Sequence, residues 1–472
     1  MRISRRSFLK GSAATAALTM ASGPLAQAIG NTKEDLQPGP GNKWPGRVVI
    51  NFNKDAVAGS TVDQAIAGTM IDDSIKLLTG ESTVGAAWKA VFPSSISASS
   101  KIAVKVPLGC AVQDMAPHWS TVRAIIDGLQ EMDFGGTKFP AANITIYEMR
   151  CSDNFKKFGY DATNLPGVKI IRDSNTSGAT DGAKALQYAK ALQADFLINV
   201  FRPGGHSTYV EGFTLGFKNH YGTYEVDHNS SSAPGHLRDI NCTGVVYNKN
   251  VLSVCVGLNG AKEASGAPGS PPISYTEYVK TIDPAAPANV PPRTIIMSTD
   301  PVTTEMQTIK MMRINNGKNY GTADMPKYLR ASGGVAGAIS DATYNIGVIN
   351  EEEMDIRRII DGQVVGVDAR RMGLKGKNIS ASGITVSYLS GSRRVFVEYS
   401  VPATAIGRTA KVEIFDIRGK CVHAMEQRIA GVSNQISWNR KSSGGIQSAQ
   451  GTHIVRITAG SLQLSGRVQV LR

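Results

Sequence analysis

The sequence predicts an α/β core with a mainly parallel sheet, joined to a C-terminal all-β sandwich. Two patterns predict it. Between residues 48 and 350, short apolar strands alternate with segments whose apolar residues recur at helical spacing. After residue 378 the helical spacing stops, and seven short strands separated by turn residues fill the chain. A third observation bounds function. The net charge of +13 is concentrated at the two ends, with +4 in residues 1–28 and +8 in residues 381–472. The middle is close to neutral, so a basic core gripping nucleic acid is excluded and no such partner is expected.

At the N-terminus, residues 4–10 read Ser-Arg-Arg-Ser-Phe-Leu-Lys, followed by a weakly apolar run from Gly11 to Met20 and small residues at Ala26 and Ala28. This is the charged, apolar and small-residue layout of an export signal, and the run is too short to span a bilayer. The paired arginines resemble the twin-arginine export motif. That resemblance implies a signal peptide over residues 1–28, handling by the twin-arginine export machinery, and delivery of a folded chain to the periplasm or cell surface. Residues 29–47 contain Pro38-Gly39-Pro40-Gly41 and Pro45-Gly46 and read as a lead-in loop.

The core is expected over residues 48–377. Val48–Asn51 reads as its first strand, and Val62, Ile66, Met70, Ile71, Ile75 and Leu78 trace one face of a helix over 61–78. Strands follow at 101–108, 144–147, 168–171 and 196–201, with helices at 121–132 and 183–192. Two apolar runs, 242–247 and 251–256, flank an Asn-Lys-Asn turn; a two-residue loop there would set Cys242 opposite Cys255, either as a disulfide or as two buried thiols. Further on come a strand at 294–298, a helix at 301–313 and a last core element near 344–349. The charged run from Glu351 to Arg358 reads as a solvated helix face. Five cysteines are present without a C-x-x-C pair, so no iron–sulfur cluster is expected.

Four of the seven histidines, His206, His220, His228 and His236, follow the apolar strand 196–201, where an α/β protein places its chemistry. Neutral imidazoles with carboxylates such as Glu148 and Glu305 are the donor types a divalent transition metal takes. The spacings match no helix-borne ligand motif, so the alternative is loop histidines near one polar cleft. Lys105 lies on a buried strand, where an unpaired ammonium is costly, and Glu148 at a strand end is a plausible partner. Asp300 stands before Pro301, the arrangement of a helix cap. Lys105 and Lys218 are suited to neutralising a carboxylate or phosphate that Asn219 orients.

The segments Ala194–Val200, His206-Ser207, Thr214, Lys218-Asn219 with Gly222, and Ser298–Val302 follow the order and spacing of the domain-of-unknown-function 362 family, which the chain resembles over about residues 48–350. The resemblance implies an architecture more than an activity. Lys105, Lys218, Asn219 and Asp300, which lie on the matching segments, are the candidate catalytic residues. This chain departs from the pattern at Pro107, Gly204 and Asn259, where the family carries Asn, Lys and Asp. In the tail, residues 378–472, Val412–Val422, Ile436–Asn439 and Gly451–Ile457 resemble C-terminal sorting domains of surface proteins and the related immunoglobulin-like domain of flagellar hook-capping proteins. An outer-membrane secretion system or a surface polysaccharide is the partner this basic tail implies.

Two functions fit these readings. One is a metal- or cofactor-dependent exported enzyme acting on a small anionic substrate. The other is a non-catalytic surface protein whose core binds a ligand and whose tail sorts or adheres.

Overall fold

The computed structural model describes residues 43–108, 116–148, 154–172, 193–206, 210–223, 231–242, 246–261, 274–334, 344–365, 384–389, 394–429, 433–438, 440–441, 451–460 and 462–470. The chain divides into two compact units, Met1–Val367 and Asp368–Arg472. Among the described residues no helix is long and apolar enough to cross a membrane.

In the first unit β1 (Arg47–Phe52) is followed by a small hairpin, β2 (Val57–Ala58) with β3 (Thr61–Val62). Then come β4 (Ile102–Lys105), β5 (Ile144–Glu148), β6 (Lys169–Arg172), β7 (Phe196–Phe201), β8 (Asn250–Gly257), β9 (Thr294–Ser298), β10 (Asp355–Ile360) and β11 (Gln363–Val365). Nine of these form one sheet in the order β11-β10-β1-β9-β8-β7-β4-β5-β6. From β6 to β8 every pairing is parallel, as is β1 with β10. β9 runs antiparallel to both β8 and β1, and β11 to β10. The sheet is therefore mixed, five of its eight pairings parallel and three antiparallel. Gly257 faces Thr294 across the β8–β9 pair, so the connection returns on the side where it left. Apolar runs report that a strand is buried, not which way it points.

Helices cover both faces. α1 (Gln64–Thr79), α2 (Val84–Val91), α3 (Trp119–Gln130) and the one-turn α4 (Asn154–Lys157) precede α5 (Gly216–Asn219), α6 (Ala233–Asn241), α7 (Thr276–Lys280), α8 (Pro301–Asn315) and α9 (Lys327–Ser332). Val49 joins a core with α1, α2 and α3, while its neighbours Val48 and Ile50 join a second core with α6 to α9. That split is the period-two alternation of a strand buried on both sides. α1 begins at Gln64 because Asp63 caps it, accepting from Ile66 N at 2.9 Å, and it ends at Gly80, whose φ of 82° is left-handed.

Three expectations change. Of the charged run 351–358, Glu351–Glu353 form a single helical turn with Glu352 and Glu353 exposed, but 355–358 belong to the strand beside β1, in which Asp355 pairs with Arg47 of β1 and with Arg357 of its own strand. Alternating charges on one face of a short strand mimic a helical charge pattern. Cys242 is not in a hairpin; it ends α6, its N–H bonded to Arg238 O, and it and Cys255 are free, buried thiols. The element near 344–349 is irregular, although Ile346 and Ile349 are core residues and Gly347 bridges Gly333. The helix expected at 183–192 lies outside the described residues.

The second unit holds two antiparallel sheets. β12 (Ile384–Leu389), β13 (Arg394–Ser400) and β16 (Ser433–Trp438) form one; β15 (Cys421–Arg428), β14 (Thr409–Asp416), β17 (Gly451–Ala459) and β18 (Leu462–Val470) form the other. Val397, Tyr399 and Trp438 of the first sheet share a core with Val412, Ile414, Val455 and Ile457 of the second. All seven strands fall where turn residues delimit them in the sequence.

Candidate functional site

The site begins with a lysine in a buried row of the sheet. β4 ends at Lys105, which faces Tyr147 of β5 on one side and Asn199 of β7 on the other. Lys105 is 1 % exposed. Its Nζ donates to Val106 O at 2.9 Å, to Asn219 Oδ1 at 2.9 Å and to Glu148 Oε2 at 3.2 Å. Glu148 Oε2 also accepts from Leu108 N at 3.0 Å. A buried ion pair of this kind is tolerable only when such further hydrogen bonds satisfy both ions.

Asn219 is fixed as firmly as the lysine. Its Nδ2 donates to Asn199 Oδ1 at 2.7 Å and Val200 O at 3.0 Å, and Asn199 Nδ2 donates to Gly216 O at 2.9 Å. The turn from Gly216 to Thr223 is thereby fastened onto β4, β5 and β7. Close approach demands glycine at Gly222: a Cβ there would lie 2.5 Å from Lys105 Cε and 2.7 Å from Glu148 Oε1.

His220 and Thr223 complete the cluster. Thr223 Oγ1 lies 2.7 Å from Tyr147 Oη and 3.1 Å from His220 Nδ1, a chain of three exchangeable groups. His220 is buried, and desolvation, reinforced by the nearby Lys105 charge, lowers its pKa to about 3, so the ring is neutral. Its Nε2 is enclosed with no hydrogen-bond partner. That nitrogen is the one buried atom of the network left to give or take a hydrogen bond.

The other predicted residues lie elsewhere. Glu305, in the first turns of α8, accepts from Phe217 N at 3.2 Å and from Tyr328 Oη at 3.0 Å, so it holds the opposite end of the Gly216 turn. Burial raises its pKa to about 8 despite these bonds, which keeps it largely protonated at neutral pH. Asp300 caps α8. Its Oδ1 accepts from Thr303 N, and its Oδ2 from Gly46 N and Val348 N, each at 2.9 Å. Burial raises its pKa against those three N–H groups. Lys218 is half-buried on α5, His206 half-buried after β7 and His236 half-buried on α6. His228 lies outside the described residues. Among the described residues, no group of three or more His, Cys, Asp or Glu is placed to hold a metal ion.

Residues 2–22 match the model of the TAT (twin-arginine translocation) pathway signal sequence. The chain is exported from the cytoplasm. No curated protein matches it. Among solved structures, PorZ, an essential surface component of the type-IX secretion system of Porphyromonas gingivalis, is 23% identical over 16% of this chain and 9% of its own, with a TM-score of 0.13. FlgD from P. aeruginosa is 17% identical over 18% of this chain and 64% of its own, with a TM-score of 0.15. An FMN-binding beta-glucuronidase from Facaelibacterium prausnitzii L2-6 is 10% identical over 92% of this chain and 57% of its own, with a TM-score of 0.20. The exported chain thus spans less than two thirds of each.

Sequence reasoning pointed to Lys105, Glu148, Asn219 and His220, which meet, but not to Asn199, Tyr147 or Thr223, which join them. Asn199 carried a signal: it is the single polar residue within the apolar run Phe196–Phe201. Tyr147 and Thr223 carried none, because their pairing spans 76 residues.

Proposed function

We propose that this is an exported ligand-binding protein of the periplasm or cell surface. In this reading its core resembles the domain-of-unknown-function 362 family, and the Lys105 network is a structural latch rather than a catalytic centre. The observation that supports it is the engagement of Lys105: its three ammonium protons have acceptors in Val106, Glu148 and Asn219. A catalytic lysine must offer a proton or lone pair to substrate. Asp300, with three backbone donors on its carboxylate, is likewise engaged. The two-sheet tail, basic by +8 and resembling immunoglobulin-like sorting domains, serves in this reading to sort or anchor the chain, by an outer-membrane secretion system or on acidic surface polysaccharide.

Elemental analysis and a visible spectrum of protein exported through its own signal test the reading, beside the His206→Ala, His220→Ala double variant. A colourless protein without stoichiometric metal supports a binding role. Stoichiometric metal or colour that disappears in the double variant overturns it in favour of a metal- or cofactor-dependent enzyme.

A further inference from the structure

The first unit buries two cations among its described residues, Lys105 and Arg202. Lys105 has Glu148 beside it. Arg202 has no such partner: no carboxylate of the described residues forms an ion pair with it, and its Nε makes no hydrogen bond. Nη1 reaches only Pro203 O, at 3.3 Å. The residue keeps 6% of its surface open. Burial lowers its pKa to about 10, which leaves it charged at neutral pH. A guanidinium enclosed without a counter-charge is among the costliest arrangements a folded chain can carry.

Its position gives that cost a purpose. Arg202 directly follows β7, at the carboxyl ends of the parallel neighbours β7 and β8, where open α/β sheets bind their ligands. The two strand ends are tied together, Ala261 N donating to Pro203 O at 3.1 Å and Tyr275 Oη to Ala261 O at 2.8 Å. The turn beyond Arg202 is Gly204-Gly205, and a Cβ on Gly204 would lie 3.0 Å from Arg202 Nη1, so bare backbone stands against the guanidinium. In this turn Thr214 N donates to Gly204 O and His206 N to Gly212 O.

We infer that Arg202 is the anchor of a site for a small oxyanion, a carboxylate or a phosphate, at the carboxyl ends of β7 and β8. The guanidinium fork offers the paired donors that such anions take. The inference rests on the ligand-binding reading and gives that reading a ligand class; the Lys105 latch stays outside the site.

Isothermal titration of the mature chain, residues 29–472, tests it with sodium phosphate in one arm and sodium malonate in the other, chloride holding ionic strength constant. Saturable binding in either arm, weakened about tenfold or more by Arg202→Met and partly kept by Arg202→Lys, is the expected result and names the anion. Thermal unfolding in buffer free of both anions gives a second readout. Arg202→Met should melt at or above the wild-type temperature, because it removes an unpaired charge. Binding in neither arm, binding indifferent to Arg202→Met, or an Arg202→Met chain that melts far below wild type or does not fold each overturns the inference, the last by making Arg202 a brace. The parent reading fails separately, on stoichiometric metal in the exported protein, and survives if neutral compounds bind equally to wild type and Arg202→Met.

Discussion

Lys105 donates to Asn219 across 2.9 Å of space and 114 residues of chain. The bond ties the end of β4 to the last residue of α5, and with Glu148 and Val106 O it encloses the charge of the lysine on three sides. Glu305 grips the same turn from α8 through Phe217. The segment from Gly216 to Thr223 is thus pinned at both ends by buried polar groups, and the stability of the first unit should depend on them.

Removing one partner of the buried pair leaves the other charged and unpaired. Lys105→Met should therefore lower unfolding free energy by about 3–5 kcal/mol in urea denaturation. The double variant Lys105→Met, Glu148→Leu should recover much of that loss. A pair of single losses that simply add would show that the two groups do not act together.

At Gly222 the constraint is space. Gly222→Ala places a methyl within 2.5 Å of Lys105 Cε. A cost of about 1–3 kcal/mol is expected, measured by thermal unfolding. An unchanged melting temperature would mean that the turn yields without disturbing the latch.

The pH dependence has two sides. His220 has its pKa lowered to about 3 by burial and by Lys105, against about 6.5 in the unfolded chain. Its contribution is therefore complete above about pH 6.5 and is lost as pH falls from there towards 3. Glu305 has its pKa raised from its ordinary 4.5 to about 8 by burial, so its contribution is complete below pH 4.5 and is lost as pH rises through 8. Glu305→Gln should flatten the alkaline side of the stability profile, and His220→Gln the acid side. A profile unchanged by both substitutions would sink this assignment.

Asp300 offers a contrast with the lysine. Asp300→Ala strands three backbone N–H groups, at Gly46, Thr303 and Val348, and should cost about 2 kcal/mol or more. Oxyanion binding at Arg202, measured by titration on chain that remains folded, should be unchanged. A selective loss of binding with full stability would make Asp300 part of a site.

Cys242 and Cys255 should both remain thiols after export. Burial raises both thiol pKa values, so neither reacts readily as thiolate. Alkylation followed by peptide mass mapping should label them only after unfolding. A peptide pair joined by Cys242–Cys255 would contradict the arrangement of α6 and β8.

By itself the sequence determined the export signal, the seven strands of the tail and most strands and helices of the core, because these depend on local periodicity, capping and turn chemistry. Phe196–Phe201 and Thr294–Ser298 are strands over the very residues whose apolar runs announce them. Lys105 and Glu148 were also legible as partners, since a lysine on a buried strand requires a counter-charge. Direction and partnership were not legible. Only the tertiary structure reversed β9, set the second half of the charged run 351–358 beside β1, and separated Cys242 from Cys255. The cap at Asp300 was legible from its place before Pro301, whereas only the structure showed Arg202 to be a charge that no carboxylate of the described residues pairs. Burial and hydrogen-bond satisfaction are properties of neighbours brought together from distant parts of the chain, and residue spacing along one strand or helix does not encode them.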